Sequence, residues 1–311
     1  MDYDDDGILD FISGSYDPGD VYLFRGLGGG KYAAVEVLED RAGVPIVHHP
    51  KQLVAYGEDP ESIQDRVASF GSWAAPVDWD ADGDLDLLIG SFSGRLYRRM
   101  NIGTRSEPVY DEESIEVAAG GSPFKVRGHA NPVVADWNED GLWDLVVGAS
   151  DGGVVWVENS GTAKAPVFGP MKVLVDAKND DKFFNQYLQP GEEAGPGARA
   201  QICVTDYDHD GRLDLVLGDH SSITDLRLLD GHEEAGFDAL LAKEKAARAR
   251  RAEAYGDDEA MDVIGAELTK LAGRKKSYFA VDAEARTSSH VWLYLRRPTG
   301  ATGSNEPSAE R

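Results

Sequence analysis

Four short segments of this chain carry carboxylates at a spacing that suits a hard cation. They are Asp2-Tyr3-Asp4-Asp5-Asp6-Gly7-Ile8-Leu9-Asp10, Asp78-Trp79-Asp80-Ala81-Asp82-Gly83-Asp84-Leu85-Asp86, Asp136-Trp137-Asn138-Glu139-Asp140-Gly141-Leu142-Trp143-Asp144 and Asp206-Tyr207-Asp208-His209-Asp210-Gly211-Arg212-Leu213-Asp214. At ordinary residue usage the shared pattern, D-x-[DN]-x-D-G-x-x-D, arises about once per million positions, so its recurrence is not chance. A calcium ion takes about six to eight oxygens, and alternate residues of a tightly wound loop can supply them. The first, third, fifth and ninth residues of each segment would offer side-chain oxygens. The seventh (Ile8, Asp84, Leu142, Arg212) would offer its backbone carbonyl, which leaves its side chain free to vary. The glycine at the sixth position allows the turn.

Carboxylates about 4 Å apart repel by about 4 kcal/mol per pair at an effective dielectric near 20, so acidic turns without a cation are a poor resting state. A helix-loop-helix calcium site would place a bidentate Glu at the twelfth position, where this chain has Ser13, Ile89, Val147 and Leu217. That reading fails. Magnesium fits less well, because it prefers near-octahedral sites that retain water. The expectation is about four calcium ions, with the Asp136 loop weakest because Asn138 replaces a carboxylate.

The elements that must position these loops are strands. An apolar run follows each segment: Phe11-Ile12-Ser13-Gly14, Leu87-Leu88-Ile89-Gly90, Leu145-Val146-Val147-Gly148 and Leu215-Val216-Leu217-Gly218. Turn residues come next, then a second strand such as Val21-Tyr22-Leu23-Phe24 or Val154-Val155-Trp156-Val157, which makes a hairpin. The middle repeats continue alike through Asn101-Ile102-Gly103-Thr104 and Asn159-Ser160-Gly161-Thr162. Strands leading into the loops read as Ala74–Val77, Pro132–Ala135 and Ile202–Thr205. Units of four antiparallel strands that repeat in this way bury their faces only against neighbouring units, as propeller blades do. The predicted fold is an all-β propeller of about four four-stranded blades spanning 1–298. Asp2 follows only Met1, so the first blade is expected to lack its leading strand. Either an upstream segment carries that strand, which is the favoured expectation, or Val291–Leu295 helps close the ring.

The acidic loop, the Leu-hydrophobic-Gly strand after it and the later N-x-G-T together resemble the FG-GAP/VCBS repeat family of integrin-like β-propellers. The resemblance runs from Asp2 to about Asp230. It implies a secreted, cell-surface or periplasmic propeller, with calcium loops joining the first and second strands of each blade. It does not imply one particular ligand.

Acidic residues number 56 against 31 basic, a formal charge of -25, which opposes nucleic acid and anionic membrane surfaces. No apolar run is long enough to insert in a membrane. The single cysteine, Cys203, lies in the apolar run Ile202-Cys203-Val204 and is expected to be a buried small hydrophobe. The residues that begin the inner strands, away from the acidic loops, are Trp73, His129, Asn131, Arg199 and Gln201. With Phe184 and Tyr187 from a long connection they form a candidate ligand face for carbohydrate or protein. No nucleophile with an adjacent base and no phosphate loop stands out, so binding is favoured over catalysis. The alternative is a polysaccharide-active enzyme, or its accessory domain, with structural calcium.

From about 232 to 276 the repeat is interrupted by Ala239–Ala246 and Ala260–Leu268, two predicted helices joined near Gly256-Asp257. This hairpin reads as a charged, solvated appendage inserted in the last blade. The tail 299–311, rich in Gly, Ser, Glu and Pro, is expected to be disordered.

Overall fold

The computed structural model describes residues 1–48, 71–177, 185–188, 194–228, 234–254, 257–276, 279–281 and 286–296. The protein is mostly β, with four blade-like sheets of the propeller kind and, among the described residues, two helices. It divides into two compact units, Met1–Val147 with Trp156–Lys172, and Gly148–Val155 with Val173–Arg311.

In the first unit, β1 (Phe11–Gly14) and β2 (Val21–Phe24) form the predicted hairpin. A short ribbon of β3 (Gly26–Gly28) and β4 (Lys31–Tyr32) follows, and β5 (Glu36–Val37) then adds to β2 as a third strand. The second sheet has all its strands, β6 (Ser72–Val77), β7 (Asp86–Ser91), β8 (Leu96–Arg99) and β9 (Ile115–Glu116), paired antiparallel in that order. The ribbon of β10 (Ala118–Ala119) and β11 (Ser122–Pro123) follows it. β12 (Asn131–Ala135), β13 (Asp144–Gly148), β14 (Val154–Val157) and β15 (Lys172–Val175) make the third sheet, whose residues belong to both units.

Two of the apolar runs after the acidic loops are covered on both faces, so every residue of β7 and β13 is buried, whereas β1 has an exposed Phe11 and is otherwise half-buried. Val21, Leu23, Leu38, Ile46, Leu87 and Ile89 pack with Tyr3 and Tyr110 into one core of the first unit. Successive sheets are stitched by backbone where each leading strand begins. Ser72 donates its N–H to the Ser15 carbonyl, Ala130 to Ser91 and Ala200 to Ala149, at 3.0, 3.1 and 3.0 Å. The approach explains the glycine that ends each of the first three apolar runs, whereas a Cβ on Gly218 would meet only the Gln201 carbonyl oxygen at 3.8 Å. A Cβ on Gly14, Gly90 or Gly148 would lie 1.8, 1.9 or 2.4 Å from the carbonyl oxygen of Ser72, Ala130 or Ala200.

The fourth sheet is built on one long strand. β18 (Asp214–Leu228) pairs antiparallel with β17 (Ala198–Thr205) and β21 (Val291–Tyr294) over its first part. Its outer part takes β20 (Arg286–Ser288) and β19 (Phe279–Val281) antiparallel, and β16 (Asn185–Leu188) parallel. β21 therefore stands beside β18 as a strand of this fourth sheet. β16 gives regular structure to a connection that sequence alone left irregular. Cys203, expected in the core, is exposed. β17 is the last strand in its sheet order, and its odd-numbered residues from Arg199 to Thr205 all face outward, so an apolar sequence neighbourhood did not mean a buried face.

The helical insertion is present as α1 (Glu234–Glu253) and α2 (Asp258–Lys276), joined at the tip of the β18–β19 pair. Asp257 caps α2 by accepting the Ala260 N–H at 3.0 Å. Leu240, Ala247, Ile264, Leu268 and Leu271 form the hairpin's own small core. It is more firmly held than a solvated appendage, since buried Arg251 pairs with buried Asp151 and Arg248 donates to the Ala177 carbonyl at 2.8 Å. Truncating one partner of such a buried pair typically costs about 3–5 kcal/mol. The tail 299–311 lies outside the described residues.

Candidate metal centres

All four acidic loops wind on the same internal hydrogen bonds. The first carboxylate accepts the N–H of the fifth residue on one oxygen and of the sixth on the other: Asp82 and Gly83 to Asp78 at 3.1 Å each, Asp140 and Gly141 to Asp136 at 3.0 and 2.9 Å. Asp2 and Asp206 repeat the pattern. The fifth carboxylate then accepts the N–H of the seventh residue, as in Ile8 to Asp6 at 2.8 Å and Arg212 to Asp210 at 2.9 Å. Winding this tightly requires left-handed backbone at the sixth position, always glycine, with φ between 84° at Gly7 and 98° at Gly83. It also requires it at the fourth, where Asp5, Ala81, Glu139 and His209 have φ of 62°, 55°, 65° and 60°. A side chain in that region costs about 1–2 kcal/mol, and the motif gives no sign of it because the fourth residue varies freely.

The ninth carboxylate has a duty that spacing alone did not reveal. Asp86 is buried and accepts Trp79 N–H at 2.9 Å on one oxygen and Asn101 N–H at 2.7 Å on the other. Asp10 does the same with Tyr3 and Gly26, and Asp214 with Tyr207 and Arg296. Asp144 accepts Asn159 N–H at 2.7 Å and the Trp156 indole at 3.0 Å. These residues tie the start of each loop to the far end of the hairpin. Burial pushes Asp86 up to about 6, against the opposing pull of the two N–H groups, and it also raises Asp144.

The carboxylates brought together are therefore the first, third and fifth. Asp2/Asp4/Asp6, Asp78/Asp80/Asp82 and Asp206/Asp208/Asp210 each present oxygens within 4.8 Å of one another. In the remaining loop Asn138 supplies an amide at the third position and donates Nδ2–H to Asp140 at 2.8 Å. The other loops differ in what already touches their acids. Arg25 is paired with Asp4, and Arg212 with Asp210. The Asp78 loop holds instead a fourth acid, Asp84, only 6% exposed. Burial, then Asp82, Asp86, Asp80 and Asp78, push Asp84 up to about 7. One buried oxygen on each of Asp4, Asp80 and Asp84 has no hydrogen-bond partner. Among the seventh-position residues, Ile8, Leu142 and Arg212 have no such carboxyl.

The second residue of the first two loops packs sideways, whereas Tyr207 of the last is exposed. The Tyr3 hydroxyl meets that of Tyr110 at 2.7 Å, and Tyr110 reaches the Leu85 carbonyl at 3.2 Å. The Trp79 ring lies 5.2 Å from Trp143 and 5.8 Å from Phe168. The Asp2 and Asp78 loops are thus tied to the aromatic core beside them.

At the other end of the leading strands, the structure brings some of the ligand-face candidates together. Trp73 stacks on His129 with ring centres 5.3 Å apart, and His129 touches Phe92 at 4.4 Å. Phe92 in turn meets Tyr16 at 6.1 Å, so Phe92 and Tyr16 join a cluster that sequence reading left them out of. Asn131 begins β12; Arg199 and Gln201 are exposed on β17 in the second unit. Tyr187 is placed in β16 by its backbone, and Phe184 lies outside the described residues.

No family model matches the chain. Cartilage acidic protein 1 of Xenopus tropicalis is 25% identical to it over 162 residues, which cover 51% of this chain and 22% of that protein. The chain thus spans about a fifth of that relative's length.

Proposed function

We propose that this chain is a calcium-binding propeller module of the FG-GAP/VCBS kind that acts outside the cell, binding a carbohydrate or a protein. The observation that carries the calcium reading is the Asp78 loop. Its Asp78, Asp80 and Asp82 present oxygens within 4.8 Å, and the buried Asp84 beside them has an oxygen with no hydrogen-bond partner. Leaving such groups unpaired is costly, and a divalent cation offsets both their desolvation and their repulsion. Oxygen-only donors favour calcium or magnesium over softer metals, and several carboxylates on one flexible loop favour calcium. Asp78, Asp80 and Asp82 would hold the ion by their side chains, with the carbonyl of Asp84 completing the set. Extracellular calcium modules typically bind with a Kd of about 10⁻⁴–10⁻³ M.

The Trp73, His129, Phe92 and Tyr16 cluster supports the ligand reading, because aromatic faces bordered by polar tips suit sugar rings and peptide side chains. Calorimetric titration of the chelated protein tests the metal: calcium uptake that loses its tightest phase in Asp80→Ala supports the reading, and absence of uptake ends it. Glycan and protein-array screening of the calcium-loaded chain, repeated with Trp73→Ala, tests the ligand face.

A further inference from the structure

Away from the acidic loops, the outer part of the fourth sheet places a serine, a histidine and a buried aspartate in line. Ser288 ends β20 opposite Ser221, and His290 follows two residues later, just before β21. Ser288 Oγ lies 2.9 Å from His290 Nε2, and the other ring nitrogen, Nδ1, lies 3.6 Å from Asp219 Oδ1. A surface Ser–His contact is commonplace; the buried acid behind the ring is not. The Asp219 side chain is 0% exposed, whereas that of His290 is 36% exposed. Asp219 is held by three N–H bonds, from His290 at 2.7 Å, the Trp292 indole at 2.8 Å and Gly197 at 2.5 Å.

The group that each ring nitrogen faces points to one tautomer. An ionised carboxylate only accepts, so the ring nitrogen facing it carries the hydrogen. Nδ1 is buried without another hydrogen-bond partner, which leaves Asp219 as the group it faces. Nε2 is then the acceptor, and the Ser288 hydroxyl donates to it. That is the order of an activated serine, nucleophile on base and base facing acid, with the base–acid contact at 3.6 Å longer than a hydrogen bond.

We propose that Ser288 is a nucleophile for acyl transfer from small carboxylic esters, with His290 as its general base and Asp219 as a positioning residue. As Oγ bonds to the ester carbonyl carbon, its proton passes to His290 Nε2. The alkoxy leaving group departs with that proton as the alcohol. Water then attacks the acyl-serine, again giving a proton to His290, and the acid is released as Ser288 regains its hydrogen. This reading is independent of the calcium loops.

The test uses the full chain in calcium with a fluorophosphonate probe and p-nitrophenyl acetate, read by intact mass, peptide mapping and nitrophenol release. One adduct is expected, on Ser288, and none in Ser288→Ala. His290→Gln, which keeps the backbone bonds to Asp219, should slow labelling about 100-fold or more. In Asp219→Asn the amide can donate to Nδ1, so ¹⁵N shifts of the His290 ring should report the hydrogen moving to Nε2 while labelling falls. A folded parent without an adduct, an adduct elsewhere, or equal labelling in His290→Gln overturns the proposal.

Discussion

The Asp78 and Asp206 loops share a backbone and differ in charge. Both bind their first carboxylate to two N–H groups at 3.0 to 3.1 Å, and both hold left-handed residues at the fourth and sixth positions. Asp84 stands at the seventh position of one loop, as a buried acid pushed up to about 7. The same position of the other is Arg212, whose guanidinium sits on Asp210. One loop therefore concentrates unpartnered negative charge, and the other supplies its own cation. The comparison separates two things that the motif merges. The turn is written by Asp at the first, fifth and ninth positions with Gly at the sixth, whereas the net charge that the proposed ion would meet is set by the third and seventh positions and by neighbouring arginines.

The largest expected effect tests whether the loops act as metal sites at all. A site held at a hundred times its Kd stabilises the folded chain by about 2.7 kcal/mol, worth roughly 5–10 °C in a domain of this size. Chelation should therefore lower the melting temperature in calorimetry by at least that amount, and restored calcium should return it. A melt indifferent to chelator would leave both loops as mere turns.

Next in size is the scaffold common to both loops. Asp86→Ala and Asp214→Ala each strand two N–H groups, at an expected cost of about 2–5 kcal/mol by denaturant melts. Since the bonds lie within the fold, the two losses should be alike in chelator. A large difference there would show that the ninth residue serves the ion more than the backbone.

How much of this was legible follows from where the signal lies. Periodicity of Asp and Gly revealed the loops and the apolar runs after them, because each position has one steric or electrostatic demand that few residues meet. The strand order of the second and third sheets followed from alternation and turns, whereas parallel β16 on the long β18 did not. Left-handed Ala81, Glu139 and His209 were invisible, since several side chains tolerate that backbone when neighbouring bonds hold it. The double bond of Asp86 to Trp79 and Asn101 was hidden because its partners are backbone groups, which every residue has. Cys203 misled because burial belongs to a strand's position in the sheet, and an edge strand can be apolar in sequence yet open on one side. Ser288, His290 and Asp219 lie 71 residues apart across the helical insertion at their widest hydrogen bond, a separation that no local pattern bridges.

A smaller effect separates the loops by pH. In the metal-free protein Asp84 and Asp86 have folded values of about 7 and about 6, raised above 3.8 mainly by burial. Groups raised on folding bind more protons when folded, so their contribution is fully present below about 3.8 and is lost as pH rises through about 7. Chelated protein should thus melt higher at pH 5 than at pH 8 on account of this loop, and Asp84→Asn should flatten the slope. In calcium the order should reverse, because ion and proton compete for the same oxygens. An Asp84→Asn slope equal to the parent's would place the effect elsewhere.

The smallest effect falls on the Asp206 loop and asks whether its guanidinium is the reason for any weakness. Arg212 and Asp210 are each more than a quarter exposed, so their pair is worth only about 0.2–1 kcal/mol after solvent screening. Removing the arginine frees an Asp210 oxygen without disturbing the N–H bond from residue 212 to the same carboxylate, since that donor is backbone. Arg212→Ala should therefore tighten calcium at this loop by about two- to fivefold, and more at low salt than at high. Asn138→Asp offers a matched control: it puts a carboxylate at the third position of the Asp136 loop, now an amide, and should tighten that loop while leaving Asp206 unchanged. Site-resolved titration by NMR, following the amides of Gly211 and Gly141, reads both changes separately. If Arg212→Ala leaves the Gly211 titration where it was, a neighbouring guanidinium does not set affinity, and the distinction between the two loops rests on Asp84 alone.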